Sequence, residues 1–77
     1  MISADDLTRL IRKTIDDAEV TVYDRTGTQD HLMVHVVSDV FKTMKLMDRH
    51  RLVQKSVDEA MKDGRIHALE IKTEVRS

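Results

Sequence analysis

Hydrophobic residues near the start of the chain recur at the spacing of one helix face. The pattern predicts an amphipathic helix over residues 4–17, with Ser3 as its N-cap and Asp6 at the third helical position. Ile2 and Leu7 are placed to pack against each other across this cap. We therefore expect a structural role for this helix. Its apolar face consists of Leu7, Leu10, Ile11 and Ile15.

Two segments that alternate between apolar and polar residues follow the helix. Residues 19–24 place Val20 and Val22 on one side, and residues 31–37 alternate in the same way. The RTGTQD segment between them has a turn signal at Gly27 and no hydrophobic anchor, so we interpret it as a mobile hairpin loop. The pattern predicts an antiparallel pair of strands joined by this loop.

The pattern changes to a helical period after the second strand. It predicts a short turn over residues 39–42, and then a long helix over residues 46–61 that ends before Gly64. The final alternating segment, residues 65–75, predicts a third strand. The residues expected on the inner face of the long helix are Leu46, His50, Val53, Val57, Ala60 and Met61.

This order of elements limits the topology. The second strand reaches the third through helices, and such a crossover favours a parallel, right-handed connection. We therefore predict an α+β fold of αββααβ order, with a mixed three-stranded sheet and helices on one face. Residues 1–77 are expected to form a single domain, because a chain of 77 residues supplies one small core.

The composition excludes several classes of function. The chain has no Cys, so any metal ligand must be an imidazole or a carboxylate. A net charge of −1 gives no overall attraction to nucleic acid. The sequence contains neither a recognisable catalytic motif nor an apolar run of the ~20 residues that span a bilayer. We therefore expect a cytoplasmic protein that is not an enzyme and has no membrane partner.

Three separated segments carry a family resemblance. They are HLMVHVVSDVF at residues 31–41, DRHRLV at residues 48–53 and IHALEIKT at residues 66–73. In this order and spacing they resemble the BolA family, whose members have a class II KH-like fold related to nucleic-acid-binding domains. The turn that corresponds to the glycine-containing clamp of those domains, residues 42–45, has no glycine. The likeness to KH domains is therefore one of fold and not of function.

The BolA resemblance implies a function in iron-sulfur biochemistry. It implies an adaptor that acts with a monothiol glutaredoxin in the assembly, trafficking or regulation of a [2Fe-2S] cluster. In that complex a glutaredoxin Cys, the thiol of glutathione and one or two side chains of the BolA-like protein, normally His, share the cluster. His67 matches the family's ligand in the IHAL segment, and His31 is the candidate second ligand. The chain alone is expected to hold no cluster, because a cluster needs four ligands.

Each histidine also has a simpler structural interpretation. His67 could complete the core beside Leu69, and His31 could be a solvated residue at the start of a strand. His50 is expected to be packed in the core with its ring nitrogens hydrogen-bonded. His35 is expected to be an ordinary surface residue on the open side of the sheet.

A local cluster of basic residues has three interpretations. It could be simply solvated, it could contact nucleic acid, or it could dock a protein, as a surface near the long helix and the last strand does in the BolA family. The alternative function is accordingly a DNA-binding regulator of morphology or stress genes, although only weak DNA binding is expected. A protein-interaction module without metal is a third possibility. The cluster consists of Lys42, Lys45, Arg49, Arg51 and Lys55.

Overall fold

The computed structural model describes residues 2–24 and 31–76. The predicted αββααβ order is confirmed, except that the long helix is divided in two. The hairpin segment 25–30, predicted to be a mobile loop, lies outside the described residues. The elements are α1 (Ala4–Thr14), β1 (Glu19–Asp24), β2 (His31–Ser38), a short 3-10 helix (Asp39–Thr43), α2 (Leu46–Ser56), α3 (Asp58–Lys62) and β3 (Ala68–Val75).

The start of α1 agrees with the sequence, whereas its end comes earlier than predicted. Ser3 Oγ accepts a hydrogen bond from the backbone N–H of Asp6 at 3.1 Å, which caps the helix. Ile2 and Leu7 are both buried, as the predicted apolar contact across the cap requires. The helix ends at Thr14 and not at residue 17, because the backbone of Ile15 is extended and directs its side chain into the core.

The three strands form one sheet in the order β1-β2-β3. β1 and β2 are antiparallel, with Asp24 opposite Leu32 near the hairpin end. β2 and β3 are parallel, with His31 beside Ala68. The helical crossover between β2 and β3 accounts for the parallel pair. The predicted mixed sheet is confirmed, and β3 occupies one edge of it.

Helices cover one face of the sheet, and the core lies between the two layers. Leu32, Val34 and Val36 of β2 are buried on this face. Met33 and His35 alternate with them and therefore point to the opposite, open face. The predicted arrangement of helices on one face is thus confirmed. The other core residues are Ile2, Leu7, Ile11, Ile15, Ala18, Phe41, Val53, Val57, Ala60 and Ile66.

The region predicted as one helix over residues 46–61 consists of α2 and α3. The backbone leaves the helical conformation at Val57 (φ −111°, ψ 6°), whose side chain is fully buried. The Ser56 hydroxyl donates to the carbonyl of Val53 at 2.5 Å, within the last turn of α2. Within residues 2–24 and 31–76, every helix is too short or too polar to cross a membrane.

The prediction that Leu46 and His50 face the core is wrong. Both side chains are exposed, while Val53 is fully buried and Arg49 is half-buried. Arg49 Nε donates to the carbonyl of Met44 at 3.0 Å, which holds that side chain against the start of the helix. α2 packs near the edge strand β3. The side of the helix that carries Leu46 and His50 therefore lies beside the edge of the sheet and not above its buried face.

The last strand begins later than predicted, at Ala68 and not at residue 65. Gly64 has a positive φ of 85°, a conformation that ends helical segments and that suits glycine. The N–H of Ile66 then donates to the carbonyl of Ala60 at 3.2 Å, and the Ile66 side chain is buried. Because this turn anchors Ile66 in the core, the chain leaves the core at the following residue, His67.

Candidate functional site

The candidate ligands His31 and His67 lie at the same end of the sheet. β2 begins at His31, and the parallel register places His31 beside Ala68, the first residue of β3. His67 immediately precedes Ala68, so the two histidines flank neighbouring strand starts. β1 ends at Asp24 on the same side. The topology therefore places two histidines that are far apart in the sequence at neighbouring backbone positions.

His67 is directed outward by the residues on either side of it. Ile66 is buried, His67 is exposed, and β3 begins at the next residue, Ala68. The interpretation of His67 as a core residue beside Leu69 is wrong, because its side chain is exposed. His31 is exposed as well. Both candidate ligands are accordingly accessible to a partner that approaches this end of the sheet.

The described residues do not form an enclosed metal centre by themselves. Within the described parts of the chain, no three His, Cys, Asp or Glu side chains are grouped to hold a metal ion. The chain also lacks Cys entirely. A metal site that included His31 or His67 would therefore need further ligands beyond those grouped in the described residues.

The other two histidines lie elsewhere. His35 is on the open face, as predicted, and its Nε2 lies 3.0 Å from Glu74 Oε1 of β3. His50 lies outside the core in a groove between α2 and β3, where it is near Leu46 and Ile71. Neither histidine is next to the strand starts that carry His31 and His67.

The bases of the predicted cluster differ in their burial and in their neighbours. Lys42 Nζ lies 3.9 Å from Asp39 Oδ1, and Arg51 Nη1 lies 3.8 Å from Asp48 Oδ1. Arg49 is half-buried against the carbonyl of Met44. Successive helical residues are about 100° apart, so Arg49 and Arg51 point to nearly opposite sides of α2.

Lys45 is exposed at the start of α2, and Lys55 is exposed near its end. Carboxylates beside Lys42 and Arg51 reduce the local positive potential. Lys45 and Lys55 thus differ from Lys42 and Arg51, which lie beside carboxylates.

A polar network that sequence reasoning missed lies at the opposite end of the sheet. The Ser38 hydroxyl is fully buried, donates to Asp17 Oδ1 at 2.5 Å and accepts from the N–H of Val40 at 3.2 Å. Asp17 Oδ2 accepts from the N–H of Asp39 at 2.9 Å. These bonds from Ser38 and Asp39 lower the pKa of Asp17 below its ordinary value.

Arg76 completes this network from the end of β3. Its Nη2 donates to the carbonyl of Asp17 at 2.6 Å, and its Nη1 lies 3.2 Å from Glu19 Oε1. The signal in the sequence was Ser38 itself, a polar residue that closes an apolar strand in the HLMVHVVSDVF segment. The network joins the connection between α1 and β1 to β1, to the end of β2 and to the residue after β3, at the end of the sheet away from His31.

The family is shown by comparison with known proteins. A family model described as BolA-like protein matches residues 9–77. An uncharacterized protein of Rickettsia prowazekii is 28% identical over 72 residues, which cover 94% of this chain and 92% of that protein.

Solved structures show the same relationship. BolA1 from Arabidopsis thaliana matches with a TM-score of 0.81 at 28% identity, covering 97% of this chain and 94% of that one. The solution structure of yeast Fra2 matches with a TM-score of 0.75 at 28% identity, covering 96% of this chain and 80% of that one. Because the family model spans most of the sequence, the chain belongs to the BolA family.

Proposed function

We propose that this protein is an adaptor that shares a [2Fe-2S] cluster with a monothiol glutaredoxin, in the assembly, trafficking or regulation of such clusters. The observation that carries the proposal is the position of His67, exposed at the start of β3 and next to the strand that begins at His31. Membership of the BolA family supports it. The chain has no thiol, so it needs a partner to complete a cluster site.

The division of ligands follows from the chemistry of the side chains. A glutaredoxin Cys and the thiol of glutathione would supply thiolates, and His67, with His31 as the second candidate, would supply imidazole nitrogen. An imidazole ligand in place of a thiolate lowers the negative charge at the cluster and raises its reduction potential. The imidazole must be neutral to bind, so ligation should weaken as the pH falls through the range in which histidine is protonated.

Docking and ligation are separable in this proposal. The exposed bases near the start of α2, Lys42 and Lys45, are candidates for contact with the partner, whereas the imidazoles lie at the strand starts. Arg49 and Arg51 contribute less to any one contact, because they lie on different sides of α2. The cytoplasmic location stays a prediction from the sequence.

The experiment is to co-purify the chain with a monothiol glutaredoxin and glutathione, and to record visible absorption and circular dichroism. We expect His67→Ala to retain the fold and the apo complex, since His67 is exposed, but to alter the spectrum and accelerate cluster loss to a chelator. His31→Ala should give a smaller change of the same kind if His31 is the second ligand. His35→Ala is the matched control, because it removes an imidazole from the middle of β2.

The result that contradicts the proposal is equally specific. If His67→Ala and His35→Ala give complexes with the same spectrum and the same rate of cluster loss as the unmodified chain, His67 is not a ligand. A coloured, stoichiometric iron protein obtained without any thiol partner would contradict the shared site.

A further inference from the structure

The outer edge of β3 has the properties of a strand-pairing surface. β3 is a terminal strand in the sheet order β1-β2-β3, and its eight residues, Ala68–Val75, pair with β2 along their whole length. An edge strand directs part of its backbone N–H and C=O groups away from the sheet, where another strand can pair with them. A further strand can therefore be added beside β3.

Apolar side chains of α2 lie next to this edge. Leu46 is 69% exposed and Met47 is 64% exposed. They line a groove of about 500 Å³ together with Ile71 and Thr73 of β3. A strand that arrives with its own helical layer would cover these side chains as well as the strand edge, and burial of such apolar surface favours association.

The charges on the open face of β3 identify the occupant. Glu70, Lys72 and Glu74 lie on that face, because alternate residues of a strand share one side. If two copies pair antiparallel with Ile71 opposite Ile71, Glu70 of each copy lies opposite Lys72 of the other. Opposite charges at directly paired positions stabilise neighbouring strands.

Other registers are less favourable. A register centred on Lys72 places two lysines opposite each other and sets Glu70 opposite Glu74, which is repulsive. A register centred on Thr73 matches the charges, but it aligns residues 71–75 only, whereas the register centred on Ile71 aligns residues 68–74. The sequence of β3 is therefore complementary to itself in one extended register.

We propose that the outer edge of β3 binds the same edge of a second copy of this chain, antiparallel, with Ile71 on the twofold axis. The contact is isologous, so each ion pair occurs twice. The two sheets become one six-stranded sheet with both helical layers on the same side, and Leu46 and Met47 of each copy approach α2 of the other. The proposal does not rest on the proposed function, because it involves neither glutaredoxin nor a cluster.

Sedimentation equilibrium over a range of protein concentrations tests this contact. The unmodified chain should associate to a dimer. Glu70→Lys alone, or Lys72→Glu alone, sets like charges opposite each other at two places and should weaken the dimer about tenfold. The double variant Glu70→Lys/Lys72→Glu should regain the affinity, and an equimolar mixture of the two single variants should form the mixed dimer.

Glu59→Lys in α3 is the matched control, since Glu59 is exposed and the variant changes the net charge by the same amount as Glu70→Lys. Amide chemical shifts that change with concentration should be concentrated in β3 and at Leu46 and Met47. A chain that stays monomeric up to about 1 mM overturns the proposal, because a dissociation constant above that concentration is too weak for a specific contact. A dimer that the single reversals do not weaken, or a mixture that does not pair, also overturns it.

Discussion

At the scale of single residues, the Asp17 carboxylate links acidity to stability. Its pKa in the folded chain lies below the ordinary value of 3.8, first because the Ser38 hydroxyl donates to it and then because the N–H of Asp39 does. The unfolded chain therefore binds a proton at this carboxyl more readily than the folded chain does. The resulting stabilisation is complete above the unfolded pKa and is lost as the pH falls through the folded pKa.

The prediction for Asp17 concerns how the free energy of unfolding changes at acidic pH. Asp17→Asn should lower the free energy of unfolding at neutral pH and should make that free energy fall less steeply on acidification below about pH 4. Urea unfolding at a series of acidic pH values measures both effects. The control is Asp16→Asn, which changes the neighbouring carboxylate and leaves Asp17 and Ser38 in place. Equal acid dependence in Asp17→Asn and the unmodified chain would show that the Ser38 contact does not couple to protonation.

The candidate site shows how far single residues can be predicted from the sequence. The IHAL segment and the strand pattern located His67 at the start of β3, and the parallel crossover brought it to His31. His50 was assigned to the core wrongly, because a helical period defines a stripe of residues but not how far the sheet beneath that stripe extends. The contact between Ser38 and Asp17 joins distant parts of the chain, so no local pattern contains it.

At the scale of elements, the orientation of α2 is the main difference between expectation and structure. Val53 is fully buried where α2 contacts the core. Leu46, the first residue of the same helix, is mostly exposed. The bounds of β1 and β2 were predicted to within one residue because alternation is a local signal, whereas β3 begins three residues later than predicted. The division of the helix at Val57 was not predicted, since the apolar period continues through it.

A pair of substitutions tests this orientation. Val53→Ala removes buried methyl groups and should lower the free energy of unfolding by about 1–3 kcal/mol. Leu46→Ala removes a larger side chain from an exposed position and should change the stability by less than about 0.5 kcal/mol. Chemical denaturation of both variants gives the comparison. A greater loss of unfolding free energy for Leu46→Ala than for Val53→Ala would show that Leu46 faces the core, as the helical period predicted.

At the scale of the whole molecule, the charge distribution opposes DNA binding as the main function. The net charge is −1, and the bases of the predicted cluster lie on different sides of α2 or beside carboxylates. We expect duplex DNA binding to be weak, independent of sequence and strongly reduced between low salt and about 150 mM salt, because it depends on counterion release. Fluorescence anisotropy with matched and scrambled duplexes measures this. Tight, sequence-selective binding at that salt, lost in Lys42→Ala/Lys45→Ala, would favour the regulator instead.

The most direct measurement of the central claim is pulsed electron paramagnetic resonance of the reduced complex, prepared with nitrogen-15-histidine in this chain and an unlabelled glutaredoxin. If His67 is a ligand, the cluster spin couples to a labelled imidazole nitrogen of the unmodified chain. The coupling that His67 contributes should be lost in His67→Ala and retained in His35→Ala, and any coupling that remains in His67→Ala should come from His31. A spectrum with no coupling to the labelled chain, or the same coupling after His67→Ala, would contradict ligation by His67.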